Sequence, residues 1–415
     1  MNFNLQLARM NFTMNKLPEV LMITHGEKWG AGRAASRLFD CFNTNRVPVT
    51  LLTAKKDKQT NNRKNLNIYR SILLYIYSRF DYKICKIREP KNNNWKTMAL
   101  LGVLTARSLN KNKFGILNLH WVGHGLISLR QLNKIKKPIV WTVNDEWLLN
   151  PISHYPYVPT DENGILRWIR FNIERNRSKL KNTFIMKDNV YIVSVSKDIV
   201  EKFCLKYPKK LNKIYHIPNP VDTGIFFPEL KNIINLPVFN TKSKVVLFLG
   251  GTKDQRKGWD LLENSLEFCE SSFVLLVVGG ISKKISGEYS QIEVIGIHNI
   301  SNIEELRSLY SRSNLVVVPS RIEALPQTAT EALSCGTPVV GFDIGGLRDI
   351  IVDGKNGILV PKFDVRLLSS AIDKILSRPK GDFTKSCIDF SSSNFSFEVI
   401  ASKYKDIFIN LSTID

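Results

Sequence analysis

Residues 314–342 read NLVVVPSRIEALPQTATEALSCGTPVVGF and alternate between apolar runs and a helix-forming stretch. The short apolar runs at 314–320 and 337–342 predict strands, and PQTATEALSC between them predicts a helix that starts at Pro326. Two strands joined through a crossover helix form the unit of a parallel sheet with helices on its faces. This stretch therefore predicts an α/β fold.

The same alternation continues in both directions along the chain. In the second half, strands are predicted at 244–251, 272–280, 292–296, 314–320, 337–342 and 357–360, with helices near 258–270, 303–312, 327–335, 345–351 and 364–377. In the first half, apolar runs lie at 19–25, 47–52, 115–121, 138–143 and 190–196, separated by segments long enough for helices. Such alternation is typical of parallel sheets that are covered on both faces.

The chain of 415 residues exceeds what one hydrophobic core usually serves, so two domains are expected. The stretch 217–244 is rich in Pro and Asn and predicts an interdomain connection. The fold class is therefore α/β, with two Rossmann-like domains that face each other across a cleft. The expected segments are a disordered lead-in at 1–17, domains at 18–218 and 244–395, a linker at 219–243, and a C-terminal helix at 396–415 that packs back on the first domain.

Positive charge is concentrated in the first half of the chain. Residues 1–225 carry 38 Lys and Arg against 15 Asp and Glu, a net charge of +23, whereas residues 226–415 carry 21 against 22, or −1. A cation excess on one domain indicates an anionic partner surface, and the mixed basic and aromatic segment 63–96 is the best candidate for contact with a membrane. The alternative is a solvated charged surface. No RNA-binding signature accompanies the charge, so no nucleic-acid partner is expected.

The remaining composition is that of a folded cytoplasmic protein. Hydrophobic residues make up 43% and charged residues 23%, and no apolar run approaches the roughly 20 residues of a membrane-spanning helix. The N-terminal 17 residues lack the apolar stretch of a secretory signal. Six cysteines are scattered without CxxC or metal-ligand spacing. The expected location is the cytoplasm, either free or peripheral on the cytoplasmic face of the membrane.

In open parallel sheets, ligands bind beyond the carboxyl ends of the strands, so the loops at those ends are the candidate site. The loop after residue 320 carries Glu323, and Glu331 follows eight residues later inside the predicted helix. Free backbone N–H groups near Ala324 and Leu325, together with the helix dipole, predict an anion site. A solvated pair of glutamates is the alternative interpretation.

The loop GGTKDQRKGWD at 250–260 places Lys253, Arg256 and Lys257 between a strand and a helix, an arrangement that can neutralise phosphate groups. The loop lacks the GxxxxGK[ST] pattern of a P-loop, so ATP hydrolysis of that kind is not indicated. No DxD pair occurs in the chain. We therefore predict that no metal and no cofactor are needed, and that Lys, Arg and backbone N–H groups meet the charge of a diphosphate.

The segment 320–360 resembles the donor-site signature of glycosyltransferase family 4, retaining enzymes of the GT-B fold, with its two glutamates at Glu323 and Glu331. Similar strings are IPNPVDTGIFFP, the RKG at 256–258, GGLRDII and NGILVP, so the resemblance covers roughly 190–375 closely. The first domain is similar more loosely, through GAGRAASRL, NLHW and PIVWTVNDEW. The resemblance implies a nucleotide-sugar domain at 244–395 and an acceptor domain at 18–218.

Residue by residue, the resemblance implies that Glu323 contacts the hexose hydroxyls, Lys257 the diphosphate and Glu331 the ribose. The predicted catalytic residues are Glu323, Lys257 and Asp145. Further donor-binding residues are Arg256, Lys253, Ala324, Leu325, Pro326, Gln327 and Glu331. The predicted acceptor and diphosphate loop residues are Gly30, Gly32, Arg33, His120 and Asn144.

Two positions depart from the family pattern. Thr252 stands where the family has a phosphate-binding arginine, so either Lys253 or Arg256 substitutes for it or the donor is held more weakly. Asn144 precedes Asp145 where the family commonly has histidine, and asparagine cannot accept a proton or carry positive charge. His120 or His154 could supply an imidazole nearby.

The function that the resemblance implies is transfer of a hexose from a UDP- or GDP-sugar to a lipid-linked or polysaccharide acceptor in cell-surface glycan biosynthesis. The alternative is a sugar-nucleotide-binding protein that has lost activity through Asn144. A nucleic-acid-binding protein would be suggested by the charge alone.

Overall fold

The structure is a computed structural model that describes residues 17–27, 30–54, 62–87, 95–155, 165–229, 242–280, 291–298 and 300–412. Residues 1–16 of the predicted lead-in, residues 230–241 of the predicted linker, and parts of the loop at 26–32 and of the segment 63–96 lie outside the described residues.

A seven-stranded parallel sheet forms the first domain, in the order β3-β2-β1-β4-β5-β6-β7. Its strands are β1 (Val20–Thr24), β2 (Val49–Thr53), β3 (Arg63–Asn65), β4 (Ile116–Leu119), β5 (Ile139–Val143), β6 (Val190–Ser194) and β7 (Ile214–His216). The five central apolar strands were predicted. The edge strands β3 (RKN) and β7 (IYH) were not, because three-residue edge strands carry too few apolar positions to show a pattern.

The helices of this domain are α1 (Gly30–Thr44), α2 (Ile68–Ile87), α3 (Ala106–Lys111), α4 (Leu129–Asn133), α5 (Ile165–Ile185) and α6 (Lys197–Lys206). None of the helices in the described part of the chain combines the length and the apolar character that crossing a membrane requires.

A six-stranded parallel sheet forms the second domain, in the order β10-β9-β8-β11-β12-β13. Its strands are β8 (Lys244–Leu249), β9 (Phe273–Val278), β10 (Ile292–Ile297), β11 (Leu315–Val318), β12 (Val339–Phe342) and β13 (Gly357–Val360). The helices are α7 (Trp259–Leu266), α8 (Ile303–Arg312), α9 (Gln327–Ser334), α10 (Val365–Leu376), α11 (Gly381–Phe395) and α12 (Phe397–Ser412). The helix predicted at 345–351 is a short 3-10 helix, Gly345–Asp349.

The two sheets share one topological feature that places the site. In the first sheet the strand order reverses between β1 and β4, and in the second it reverses between β8 and β11. Loops that leave neighbouring strands at such a reversal run to opposite faces and open a crevice between them. The loops after β1, β4, β8 and β11 therefore bound a binding cleft.

The last helix closes the first domain. Successive residues of β1 point to opposite faces of the sheet, and the face that carries Val20 and Met22 is covered by α1 and α12. The ring of Phe42 on α1 lies 5.2 Å from that of Tyr404 and 5.7 Å from that of Phe408 on α12. The C-terminal helix thus buries its apolar stripe on the domain at the other end of the chain.

Candidate active site

A cleft of about 1150 Å³ lies between the two domains. Most of the predicted site residues line it: Gly30, Gly32, Arg33, Asn144, Asp145, Arg256, Lys257, Glu323, Ala324, Leu325, Pro326, Gln327 and Glu331. Lys253 and His120 are not among its lining residues. The cleft also includes residues 300–303 before α8, which the sequence pattern did not single out.

Lys257 and Glu323 meet at the centre of the second-domain wall. The Lys257 Nζ atom lies 2.5 Å from Glu323 Oε1, and Ser320 Oγ donates to the same oxygen at 2.9 Å. The loops that carry them are tied together, because Arg321 N–H donates to Arg256 C=O at 2.8 Å. The structure thus brings a cation from the loop after β8 to a carboxylate from the loop after β11.

Two glycines allow this close approach. Gly258 follows Lys257 with a φ of 71°, and a Cβ atom there would lie 1.9 Å from Pro319 O. Gly345 has a φ of 43°, and its Cβ would lie 1.9 Å from Glu323 O. Only glycine fits a left-handed backbone pressed against another main chain in this way. The RKG and GGLRD strings therefore set the position of the loop that carries Glu323.

The N-terminus of α9 faces the cleft through Pro326 and Gln327. The first N–H groups of a helix have no partner within it, and the helix dipole makes this end electropositive. With Lys257 beside it, this wall of the cleft is suited to bind an anion.

Glu331, in the second turn of α9, is buried and paired. Arg37 on α1 lies 2.5 Å from its Oε1 atom, and the Tyr310 hydroxyl donates to Oε2 at 2.9 Å. Burial and the charge of Glu331 raise the pKa of Tyr310 well above its usual value, so the hydroxyl stays protonated and donates. The two glutamates are therefore not a solvated pair, and the bond from Arg37 links the two domains.

Arg256 makes the second contact across the cleft. Its Nη1 atom donates to the Tyr155 hydroxyl at 2.5 Å, and its guanidinium lies 4.9 Å from the centre of the Tyr155 ring. Asp254 holds the other edge of the guanidinium at 2.5 Å. Asp254 also caps the short 3-10 turn at 255–257, and the preceding Lys253 is exposed and is not among the residues that line the cleft.

Asn144 and Asp145 follow β5 on the first-domain wall. Asn144 Oδ1 accepts from Asn219 Nδ2 at 2.8 Å. Asp145 Oδ1 accepts from the backbone N–H of Trp147 at 2.9 Å, and its Oδ2 lies 2.7 Å from Nδ1 of His154. Both carboxylate oxygens of Asp145 thus have partners within the first domain.

His120 lies behind the cleft. Its side chain is 1% exposed, its Nε2 atom is 2.9 Å from Asn118 Oδ1, and it lines a small adjoining cavity of about 20 Å³. Burial lowers the pKa of His120 to about 3, so its imidazole is neutral. The structure therefore does not place His120 among the residues that line the cleft, although the sequence predicted it as an acceptor-loop residue.

Among the cleft residues that the sequence analysis did not single out are Arg37, Tyr155, Asn219 and Tyr310. Arg37 lies one helical turn after Arg33, so the i, i+4 spacing on α1 could have indicated it. The other three come from different parts of the chain and become neighbours only through the fold. Among the described residues, no group of three or more His, Cys, Asp or Glu side chains is placed to hold a metal ion.

Part of the sequence that includes most of the second domain matches a family model. Residues 231–391 match the model of the group 1 glycosyl transferases. This glycosyl transferase region contains Arg256, Lys257, Glu323, Glu331 and the N-terminus of α9. The loops that form the anion-binding wall are therefore loops of the matched region.

One similar relative is a D-inositol 3-phosphate glycosyltransferase of Xylanimonas cellulosilytica, 28% identical over 206 residues. That match covers 45% of this chain and spans only about half of the relative, 48%.

Two solved structures share the fold of the whole chain. Sucrose-phosphate synthase from Thermosynechococcus elongatus has a TM-score of 0.65 at 18% identity and covers 96% of this chain and 100% of its own. HepE from Anabaena, in complex with UDP and glucose, has a TM-score of 0.61 at 15% identity, with the same coverage. The predicted pair of Rossmann-like domains facing across a cleft, the GT-B arrangement, is confirmed.

Proposed function

We propose that the protein is a retaining glycosyltransferase that moves a hexose from a UDP- or GDP-sugar to a lipid-linked or polysaccharide acceptor in cell-surface glycan biosynthesis. The observation that carries this proposal is the meeting of Lys257 and Glu323 beside the N-terminus of α9, at the strand-order reversal of the second sheet. The UDP-bound state of HepE supports a nucleoside-diphosphate donor.

In this proposal the second-domain wall stabilises the leaving group. The bond between the anomeric carbon and the diphosphate breaks, the acceptor oxygen bonds to that carbon on the same face, and the acceptor proton passes to a phosphate oxygen. Negative charge grows on the diphosphate, which Lys257, Arg256 and the first N–H groups of α9 would meet. One well-placed donor of this kind contributes about 3–4 kcal/mol to the transition state.

The carboxylate of Glu323 is suited to accept hydrogen bonds from hexose hydroxyls, because it lies on the cleft wall beside Lys257, the proposed partner of the diphosphate. Glu331 would hold the ribose, and for that it must exchange its bond to Arg37 for bonds to the sugar. No bound metal or cofactor is required by this mechanism.

We further propose that the protein works at the cytoplasmic face of an anionic membrane. Seven large apolar side chains of α2 are 47–72% exposed: Ile68, Tyr69, Ile72, Tyr75, Ile76, Phe80 and Tyr82. Their spacing places them on one face of the helix, together with exposed Arg79 and Lys83. An apolar stripe with cations beside it suits the interface of an anionic bilayer, where a lipid-linked acceptor is found.

The opposite face of α2 is fixed to the domain. Leu74 packs into the core, and the buried Asp81 carboxylate accepts from the Thr97 hydroxyl and the Met98 N–H. Burial raises the pKa of Asp81. The exposed apolar face is therefore a fixed surface of the domain.

A glycosyltransferase-like protein that binds sugar nucleotides without transfer is the second candidate, and Asn144 favours it. Asn144 is held by Asn219 and cannot move a proton. Transfer activity separates the two functions.

The test is release of nucleoside diphosphate from UDP-glucose, UDP-galactose, UDP-N-acetylglucosamine and GDP-mannose, with p-nitrophenyl hexosides as acceptors. The wild type should release UDP or GDP from at least one donor, with the same rate in EDTA. Lys257→Met should lower the rate by about a hundredfold or more. Lys253→Met, in the same loop but exposed outside the cleft, is the matched control and should retain the wild-type rate.

Loss of activity in EDTA with rescue by Mg²⁺ would contradict the metal-free mechanism, and no release from any donor would contradict transfer.

A further inference from the structure

The first-domain wall of the cleft carries a histidine whose side chain is held at one nitrogen and free at the other. His154 is 4% exposed and lines the cleft. Its backbone is fixed on both sides, since its N–H donates to Trp95 O and its carbonyl accepts from Glu146 N–H, each at 3.0 Å. The ring is therefore presented from a rigid segment.

The hydrogen bonds define which nitrogen is available. Nδ1 of His154 lies 2.7 Å from Asp145 Oδ2, and the other oxygen of Asp145 accepts from Trp147 N–H. A carboxylate oxygen only accepts, so the neutral imidazole of His154 carries its proton on Nδ1 and a lone pair on Nε2. Nε2 is buried and has no hydrogen-bond partner among the described residues.

The surroundings of Nε2 are aromatic. The His154 ring is stacked with that of Trp147, with a centroid distance of 6.2 Å and an angle of 18°, and meets Trp121 edge-on at 6.2 Å. Trp121 also lines the cleft, and its indole N–H has no hydrogen-bond partner within the described part of the chain. Nε2 of His154 as an acceptor and the indole N–H of Trp121 as a donor thus lie beside flat aromatic rings.

A hydroxyl group both donates and accepts, so it matches this pair, whereas an isolated cation or anion matches only one of them. A sugar ring adds apolar C–H surface for the aromatic side chains and further hydroxyls for the polar atoms. His25 also lines the cleft and its ring lies 4.8 Å from that of Trp121, whereas His120 and His124 are not among the lining residues.

We infer that His154 and Trp121 form a hydroxyl-binding subsite for a saccharide acceptor, with Nε2 of His154 accepting from the hydroxyl. Asp145 is a positioning residue that fixes the imidazole tautomer and orientation. This inference rests on the proposed function, since the second-domain wall of the same cleft is assigned to the donor.

The first test uses the imidazole itself. The chain has six histidines, so selective ¹⁵N-histidine labelling gives a spectrum in which His154 is assigned by its loss in His154→Gln. The wild type should show the Nδ1–H tautomer for His154, and Asp145→Asn should change the ¹⁵N chemical shifts of the His154 ring. An Nε2–H tautomer in the wild type would overturn the inference.

The second test adds p-nitrophenyl glycosides of glucose, galactose, mannose and N-acetylglucosamine to the labelled protein. At least one should shift the Nε2 resonance of His154, and His154→Gln should weaken its binding about fivefold or more while UDP binding stays within about twofold. His298→Gln, an exposed histidine outside the cleft, is the control. No shift with any of the four saccharides would overturn the subsite. A shift in a protein that releases no nucleoside diphosphate would leave the subsite standing and reject the proposed function.

Discussion

At the residue scale, the two glutamates of the second domain have different surroundings and should respond differently to substitution. Glu323 contacts Lys257 and Ser320 at the cleft surface, whereas Glu331 is enclosed between Arg37 and Tyr310. Glu323 is therefore open to a ligand, whereas Glu331 also links the two domains through Arg37.

We predict that Glu323→Gln lowers turnover at least about tenfold with little change in melting temperature, because a carboxylate facing the donor acts mainly on the transition state. Glu331→Ala should lower the melting temperature as well as donor binding, since it leaves Arg37 and Tyr310 without their shared partner at a cost of about 1–3 kcal/mol. Thermal unfolding and donor kinetics of the two variants measure this difference. Equal melting temperatures for Glu331→Ala and Glu323→Gln would contradict a structural role for Glu331. Full activity in Glu323→Gln would show that Glu323 is not part of the site.

The sequence could indicate Glu323, Glu331, Arg256 and Lys257 because each lies at a fixed distance from a strand end or a helix start. It could not separate Lys257 from Lys253. Lys257 lies within the 3-10 turn that Asp254 caps and the left-handed Gly258 ends, whereas the exposed Lys253 lies before that turn. Likewise, the pairing of Asp145 with His154 depends on a loop that returns to β5 nine residues later.

At the scale of elements, the apolar strands were predictable because buried parallel strands are continuous apolar runs. The segment 63–96 was predicted only as a mixed basic and aromatic surface. Its helix buries Leu74 and Asp81 on one face and exposes the larger apolar side chains on the other, which is the reverse of the usual amphipathic pattern. Composition alone cannot show which face the domain covers.

We predict that vesicles containing phosphatidylglycerol sediment the protein at low salt and release it near 1 M salt, where the Debye length falls to about 3 Å. Neutral vesicles should not bind it. The double variant Ile72→Glu and Ile76→Glu should lose binding, because it places two negative charges in the apolar stripe of α2. Leu205→Glu changes a leucine of α6 that is 84% exposed and is the matched control. Unchanged binding by the double variant, or equal loss by the control, would reject α2 as the membrane surface.

At the scale of the whole molecule, charge and function divide between the two domains. The cation excess lies in residues 1–225, while the matched glycosyl transferase region at 231–391 lies in the half of the chain with almost no net charge. The halves are joined by the Arg37–Glu331 pair, by the Arg256–Tyr155 contact, and by α12, which returns from the second domain to the first. A ligand in the cleft would touch groups from both domains.

Calorimetric titration of the full chain with UDP and with GDP tests most directly that the second-domain wall binds a nucleoside diphosphate. We predict one binding site per chain for one of the two nucleotides, without added metal, and a ligand at 100 times its dissociation constant should stabilise the fold by about 2.7 kcal/mol. Lys257→Met should weaken binding at least about tenfold, as expected for loss of one charged hydrogen bond of about 1.5–3 kcal/mol, while Lys253→Met should bind as the wild type does. Absence of binding by both nucleotides, or equal affinity in the wild type and Lys257→Met, would contradict the assignment of this cleft to a nucleotide-sugar donor.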